Sequence, residues 1–182
     1  MQLLVTVLSA LAPTLGAFAF NFGKPGAGLP QNLTLTALVG KNDISSLECW
    51  ALTPAFALST ATGTVGALSF PDLGATGESS YSLFTEHTNA GLHNAPAPQY
   101  VMILTGSGEL SFPSANLSDP TLSGNYTMNT GDILIAADTA DTSLRGHNSV
   151  WQAGTSVLQM PFAGNGPSHV VLHSGGCREP HM

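Results

Sequence analysis

Apolar and polar positions alternate along this chain in short runs, apart from an N-terminal stretch with an apolar centre from Leu3 to Leu11. No later segment keeps the 3.6-residue apolar period of an amphipathic helix. The runs read as strands: "LTLTALV" from 33, "LECWALTPAFAL" from 47, "TVGALSF" from 64 and "SSYSLFTE" from 79. The later half adds "QYVMILTG" from 99, "GELSFP" from 108, "NYTMN" from 125 and "DILIAA" from 132. It closes with "HNSVWQ" from 147, "TSVLQMP" from 155 and "HVVLHS" from 169. Turn residues separate them at intervals of roughly 8–15 residues, the rhythm of an all-β sandwich or barrel. There is no internal repeat, so the pattern predicts one all-β domain.

One pair of runs carries the most information. "QYVMILTGSGELSF" reads as a hairpin with Gly106-Ser107-Gly108 at its tip, because glycine takes the positive-φ positions of a tight turn. Alternation puts Gln99, Val101 and Ile103 on one face and Tyr100, Met102 and Leu104 on the other. Both faces are apolar beyond Gln99, so the strand is expected to be central and buried on both sides.

The apolar start, "MQLLVTVLSALAPTLGAFA", reads as a secretory signal peptide over 1–19, with a small-x-small triplet at Ala17-Phe18-Ala19. Gly- and Pro-rich chain follows, and an extended segment is assigned to 20–46, the barrel to 47–177 and a tail to 178–182. No other segment is long and apolar enough to span a bilayer. Three sequons, at Asn32, Asn116 and Asn125, agree with an exported glycoprotein. Export in turn gives the two cysteines a meaning: Cys49 and Cys177 are expected to form one disulfide clamping the ends of the domain.

Composition narrows the partners. Of 182 residues, 43% are apolar and only 8% charged, so the polar surface rests on Ser, Thr, Asn, Gln and Gly. The net charge is −7, with four Lys and Arg in all. That excludes a phosphate-neutralising surface, hence nucleic acid, and equally an anionic membrane surface. A small organic molecule makes no such demand on charge and stays open as a partner.

The candidate chemistry centres on "GLHNAPAPQYVMILTGSGEL", residues 91–110. This stretch resembles the first motif of the cupin superfamily of small jelly-roll barrels, G-x5-H-x-H-x3,4-E-x6-G. Gly106 follows Gln99 as the family's Gly follows its Glu, which places Ala95 at the second His, His93 at the first and His87 at the leading Gly. "GDILIAADTADTSLRGHNSV" is similar to the second motif, G-x5-P-x-G-x2-H-x3-N. Ala137 stands at its Pro and Thr142 at its His, with His147 five residues further on. The likeness covers residues 47–173, and the whole looks like small secreted single-domain cupin-like proteins of filamentous fungi.

The resemblance implies a cupin-type barrel and, in the family, a metal. Two imidazoles two residues apart on a strand lie about 7 Å apart on one face and converge on an ion that a neighbouring carboxylate completes. Here the set reduces to His93, Gln99 and His147, for at most a weakly held Fe, Cu, Mn or Ni. Three functions remain open. The first is an isomerase, cyclase or dehydratase without metal, with His93 as general acid or base, Gln99 and Asn94 orienting a carbonyl, and Thr142 or His147 completing the polar patch. The second is a metal-dependent dioxygenase acting on phenolics, and the third a non-catalytic secreted binding protein. Asp138 and Asp141 flank the loop before His147 and are placed to tune it. His169 and His173 are expected on a strand, too far apart at about 13 Å for one metal. Pairing through sheet edges into a homodimer is a further expectation. His93 capping the Pro-rich turn is the alternative to any role in chemistry.

Overall fold

The computed structural model describes residues 31–114, 116 and 118–177. The signal segment 1–19 and the tail 178–182 lie outside them. The described chain is all-β and contains no helix.

Two sheets form a sandwich. The larger begins with a hairpin of β1 (Thr34–Lys41) and β2 (Ile44–Leu52). Its turn residues Asn42 and Asp43 both take positive φ, which their short polar side chains tolerate. A long excursion follows, carrying the two-residue strands β3 (Ala57–Leu58) and β4 (Leu68–Ser69), which pair only with each other. Eight strands then wrap the core: β5 (Ser80–Phe84), β6 (Thr88–His93), β7 (Gln99–Thr105), β8 (Ser107–Pro113), β9 (Leu122–Asn129), β10 (Ile133–Ala137), β11 (His147–Trp151) and β12 (Thr155–Pro161). Last comes β13 (His169–Ser174).

The seven-stranded sheet runs β13-β2-β1-β10-β7-β12-β5, and the four-stranded sheet β6-β11-β8-β9. From β5 to β12 the chain crosses between the sheets at every step except β8 to β9, the wrapped order of a jelly roll.

Three readings of the sequence change here. The stretch 99–112 is not a hairpin: β7 pairs with β10 and β12, while β8 pairs with β9 and β11. Gly106 turns the chain from one sheet to the other, at positive φ and so close to Thr155 that a Cβ would collide with it. Local glycine chemistry signals a turn but not which sheet the next strand joins. Second, the seven-stranded sheet starts at Thr34, not at 47, and β1 lies in its interior between β2 and β10. Third, β6 is a strand where the sequence showed only a motif loop, because its polar, Gly-containing "TNAGLH" sits at a sheet edge and has little to bury.

The alternation in β7 holds. Val101 and Ile103 join Leu38, Leu110, Met128, Leu134, Trp151 and Val157 between the sheets. On the opposite face Tyr100 packs with Leu35, Trp50, Leu52 and Ile135, roofed by Phe70 and Phe162. The roof comes partly from the 53–79 excursion, where the Leu73 carbonyl accepts from the Tyr100 hydroxyl at 2.8 Å. Burial on both faces fades along the strand, for Met102 is half-buried and Leu104 exposed. The disulfide Cys49–Cys177 forms as expected. It fixes the chain end beside β1, where the Thr36 hydroxyl accepts from both the Cys177 amide and the Tyr126 hydroxyl at 2.9 Å.

Candidate functional site

A cavity of about 90 Å³ opens between the sheets beside the start of β7. Its floor is apolar, built from core residues such as Leu38, Val101, Met128, Leu134 and Trp151. Its polar lining comprises His93, Gln99, His147, Ser149 and Gln159, and no charged side chain is among the lining residues.

Pairing explains why two histidines distant in sequence meet here. β6 and β11 are antiparallel neighbours in the four-stranded sheet, with His93 directly opposite His147. Their ring centroids lie 4.4 Å apart at an interplanar angle of 56°. Gln99, at the start of β7 in the facing sheet, is 4% exposed. Its inward face is set by the same alternation that buries Val101 and Ile103.

The two imidazoles are held differently. His147 is 5% exposed, and its Nδ1 lies 2.7 Å from Oδ2 of Asp138, a fully buried carboxylate. A carboxylate only accepts, so Nδ1 carries the proton of this hydrogen bond. His93 is exposed at the cavity mouth, with Nδ1 donating to the Gly91 carbonyl at 2.9 Å and Nε2 at 3.5 Å from the Ser149 hydroxyl.

A second layer sits behind His147. Ser45 donates to the same Asp138 Oδ2 at 2.6 Å, and Ser45 and Ser143 share a hydrogen bond of 2.8 Å. The Gly146 amide donates to the Ser143 hydroxyl at 3.1 Å. Asp138 Oδ1 has no hydrogen-bond partner among the described residues. Gly146, at positive φ, brings this loop so close to the backbone of His93 that a Cβ would collide with it.

The residues singled out in sequence therefore divide. His93, Gln99 and His147 line one cavity, and Ala95, at the family's second His position, is buried against it. Asn94 points elsewhere: its amide donates to the carbonyls of Asp138 and Ser143 at 3.0 and 2.9 Å, tying that loop to β6. Thr142 is exposed, its hydroxyl donating to the Ala137 and Thr139 carbonyls. It does not line the cavity, because the loop before His147 is longer than the family spacing and carries Thr142 out to the surface. Of Asp138 and Asp141 only the first is buried against His147. His169 stacks on Trp50 at 3.5 Å, and His87 is exposed away from the cavity. Ser45, Ser143 and Ser149 gave no signal in the sequence, since single serines are too common to stand out.

The donor set was tested against the metal that the motif likeness implies. Among the described residues no three His, Cys, Asp or Glu side chains are placed to hold an ion. The cavity offers two imidazoles and an amide, and the nearby carboxylate of Asp138 is committed to His147 and Ser45. With only two imidazoles and a weakly donating amide as third ligand, these residues do not fit a tightly held metal. No family model matches the chain, and neither a curated protein nor a solved structure matches it.

Proposed function

We propose that this protein is an acid–base catalyst acting on a small, uncharged organic molecule, in a reaction of the isomerase, dehydratase or cyclase type. The observation that carries this reading is the Asp138–His147 pair, a fully buried carboxylate 2.7 Å from Nδ1 of a histidine that lines the cavity. The pairing fixes one tautomer, so His147 meets a bound molecule with the Nε2 lone pair as base. His93, on the neighbouring strand and at the mouth, takes the complementary role of donor once Nε2 has taken up a proton from water. The Gln99 amide is placed to donate to a carbonyl oxygen and hold the substrate against the rings. Such positioned proton transfer contributes about 10²–10⁴-fold to rate.

Charge and size favour the substrate class. No charged side chain lines the cavity, so a carboxylate or phosphate would find no counter-ion there. At about 90 Å³ it is well below the ~300–1,000 Å³ of pockets for drug-sized ligands, and suits the reactive end of a molecule whose remainder stays at the mouth.

Membership of the cupin superfamily is part of the same proposal, supported by the motif likeness and by the jelly-roll strand order. Export as a glycoprotein is supported by the disulfide and by exposed Asn116 and Asn125, whereas the Asn32 amide donates to the Leu52 carbonyl at 2.8 Å. Pairing of two copies through a sheet edge would use β13, where Val170, Val171 and Leu172 are exposed.

The test needs no known product. Small neutral ketones, enones and lactones are incubated with the protein in D₂O, and deuterium uptake at carbon beside the carbonyl is followed by NMR. The expected result is uptake above the buffer rate with at least one compound, lost in His147→Gln and strongly reduced in His93→Gln. No uptake across the set, or uptake that survives both substitutions, overturns the reading. Binding that persists in His93→Ala without exchange would instead mark a non-catalytic binding protein.

A further inference from the structure

The hydrogen bonds behind His147 do not stop at Asp138. They continue through Ser45 to Ser143, and Ser143 lines a second cavity of about 320 Å³ at the barrel end, with Asn42, Asp43 and Arg145 in its wall. Ser45, Asp138 and Ser143 are each buried, at 3%, 0% and 2% exposure. A continuous chain of heavy-atom distances of 2.7, 2.6 and 2.8 Å thus joins the inner cavity to the outer one. Ser45 helps to hold the Asp138 carboxylate, but Ser143 bonds to neither Asp138 nor His147 through its side chain. A buried two-hydroxyl bridge ending at a second opening calls for its own explanation.

We propose that Ser45 and Ser143 form a proton relay that connects His147 to solvent through the outer cavity. The inference rests on the proposed acid–base role of His147. When Nε2 takes a proton from the bound molecule, the Nδ1 proton passes to Asp138 Oδ2. The carboxyl hands its proton to the Ser45 oxygen, the Ser45 proton moves to the Ser143 oxygen, and the Ser143 proton leaves to water. One proton travels from cavity to solvent, each oxygen ends with the protons it began with, and nothing is oxidised or reduced. At rest Ser45 donates to Asp138, which leaves Ser143 to donate to Ser45. Rotation of the two hydroxyls about their Cβ–Oγ bonds reverses this polarity and moves no heavy atom. Proton return then needs no passage through the substrate-filled mouth at His93.

The experiment reads the relay without a substrate. The His147 Nδ1–H resonance is observed in ¹⁵N-labelled full-length protein, and its exchange with water is measured by magnetisation transfer. Removing a relay and loosening a structure have opposite signs here. In Ser45→Ala and Ser143→Ala exchange is expected to slow about tenfold, because the proton must then wait for a local opening of the barrel end. Ser143→Thr, which keeps a hydroxyl, is expected to retain the wild-type rate. Unchanged or faster exchange in Ser143→Ala, with the remaining amide spectrum intact, overturns the relay. Should Ser45→Ala fail to fold, Ser143→Ala decides alone. Slowed exchange without any deuterium uptake by ketones, enones and lactones would leave the relay standing and sink the catalytic reading instead.

Discussion

His93 and His147 face each other as register partners across the β6–β11 pairing, and their rings lie 4.4 Å apart. Every part of the site follows from that meeting. One histidine is exposed at the mouth, and the other is buried and held from behind by a carboxylate.

Removing that carboxylate should be costly. Asp138→Ala strands the buried His147 Nδ1–H, at about 1–3 kcal/mol, and takes from the Ser45 hydroxyl one of its two partners. We expect a loss of about 2–4 kcal/mol in urea unfolding, with the slope unchanged. A loss below about half a kilocalorie would mean that water replaces the carboxylate and that the pair is not buried as described.

Gly146→Ala probes the close approach between the loop before β11 and β6. The added Cβ meets the His93 backbone at a residue whose φ is +65°, so strain and collision act together. The expected outcome is a loss of about 1–3 kcal/mol, with chemical-shift changes concentrated at His93 and Asn94. Shifts scattered over the far end of the barrel would contradict the contact.

The disulfide closes a long loop, with a sequence separation of 128. Replacing Cys49 and Cys177 together by Ala should cost up to about 5 kcal/mol in the chain-entropy account. Thermal unfolding of the double variant, compared with the wild type before and after reductant, measures it. Equal melting temperatures for oxidised and reduced wild type would show that the covalent clamp adds nothing.

Alkaline pH should weaken the fold through Tyr100. Burial, with the Asp72 carboxylate as the lesser cause, pushes its phenol up to about 12 from an ordinary 10.0. The folded protein therefore holds this proton after the unfolded chain has lost it. The stabilisation is complete below pH 10.0 and falls as pH rises from 10.0 to about 12, by about 3 kcal/mol in all. Urea midpoints across that window should drop, and Tyr100→Phe should flatten the drop. An unchanged slope in Tyr100→Phe would assign the alkaline loss to other groups.

Elemental analysis addresses the donor set. Protein purified from a eukaryotic host without chelator or His-tag should carry far less than one equivalent of iron, copper, manganese or nickel. Near-stoichiometric metal lost in His93→Ala would mean that neutral donors suffice, and phenolic oxidation would become the reaction to assay.

Much of the fold was legible in local pattern. Strand alternation put Gln99, Val101 and Ile103 on one face of β7, and that face lines the core and cavity. The cysteines at the two ends of the domain are joined. The motif spacing also found two cavity residues, His93 and Gln99. It put Thr142 where His147 stands, because spacing counts residues along a loop and not the path that the loop takes.

The sequence by itself determined an all-β chain, its alternating faces, its low charge and the residue types available for chemistry. These follow from local preference and composition, which act over a few residues. Only the tertiary structure decided that β7 and β8 enter opposite sheets, that β1 lies inside the larger one, and that Asp138, Ser45 and Ser143 stand in line behind His147. Those outcomes depend on long-range pairing and on burying polar groups only where partners wait, terms that no short window of sequence contains.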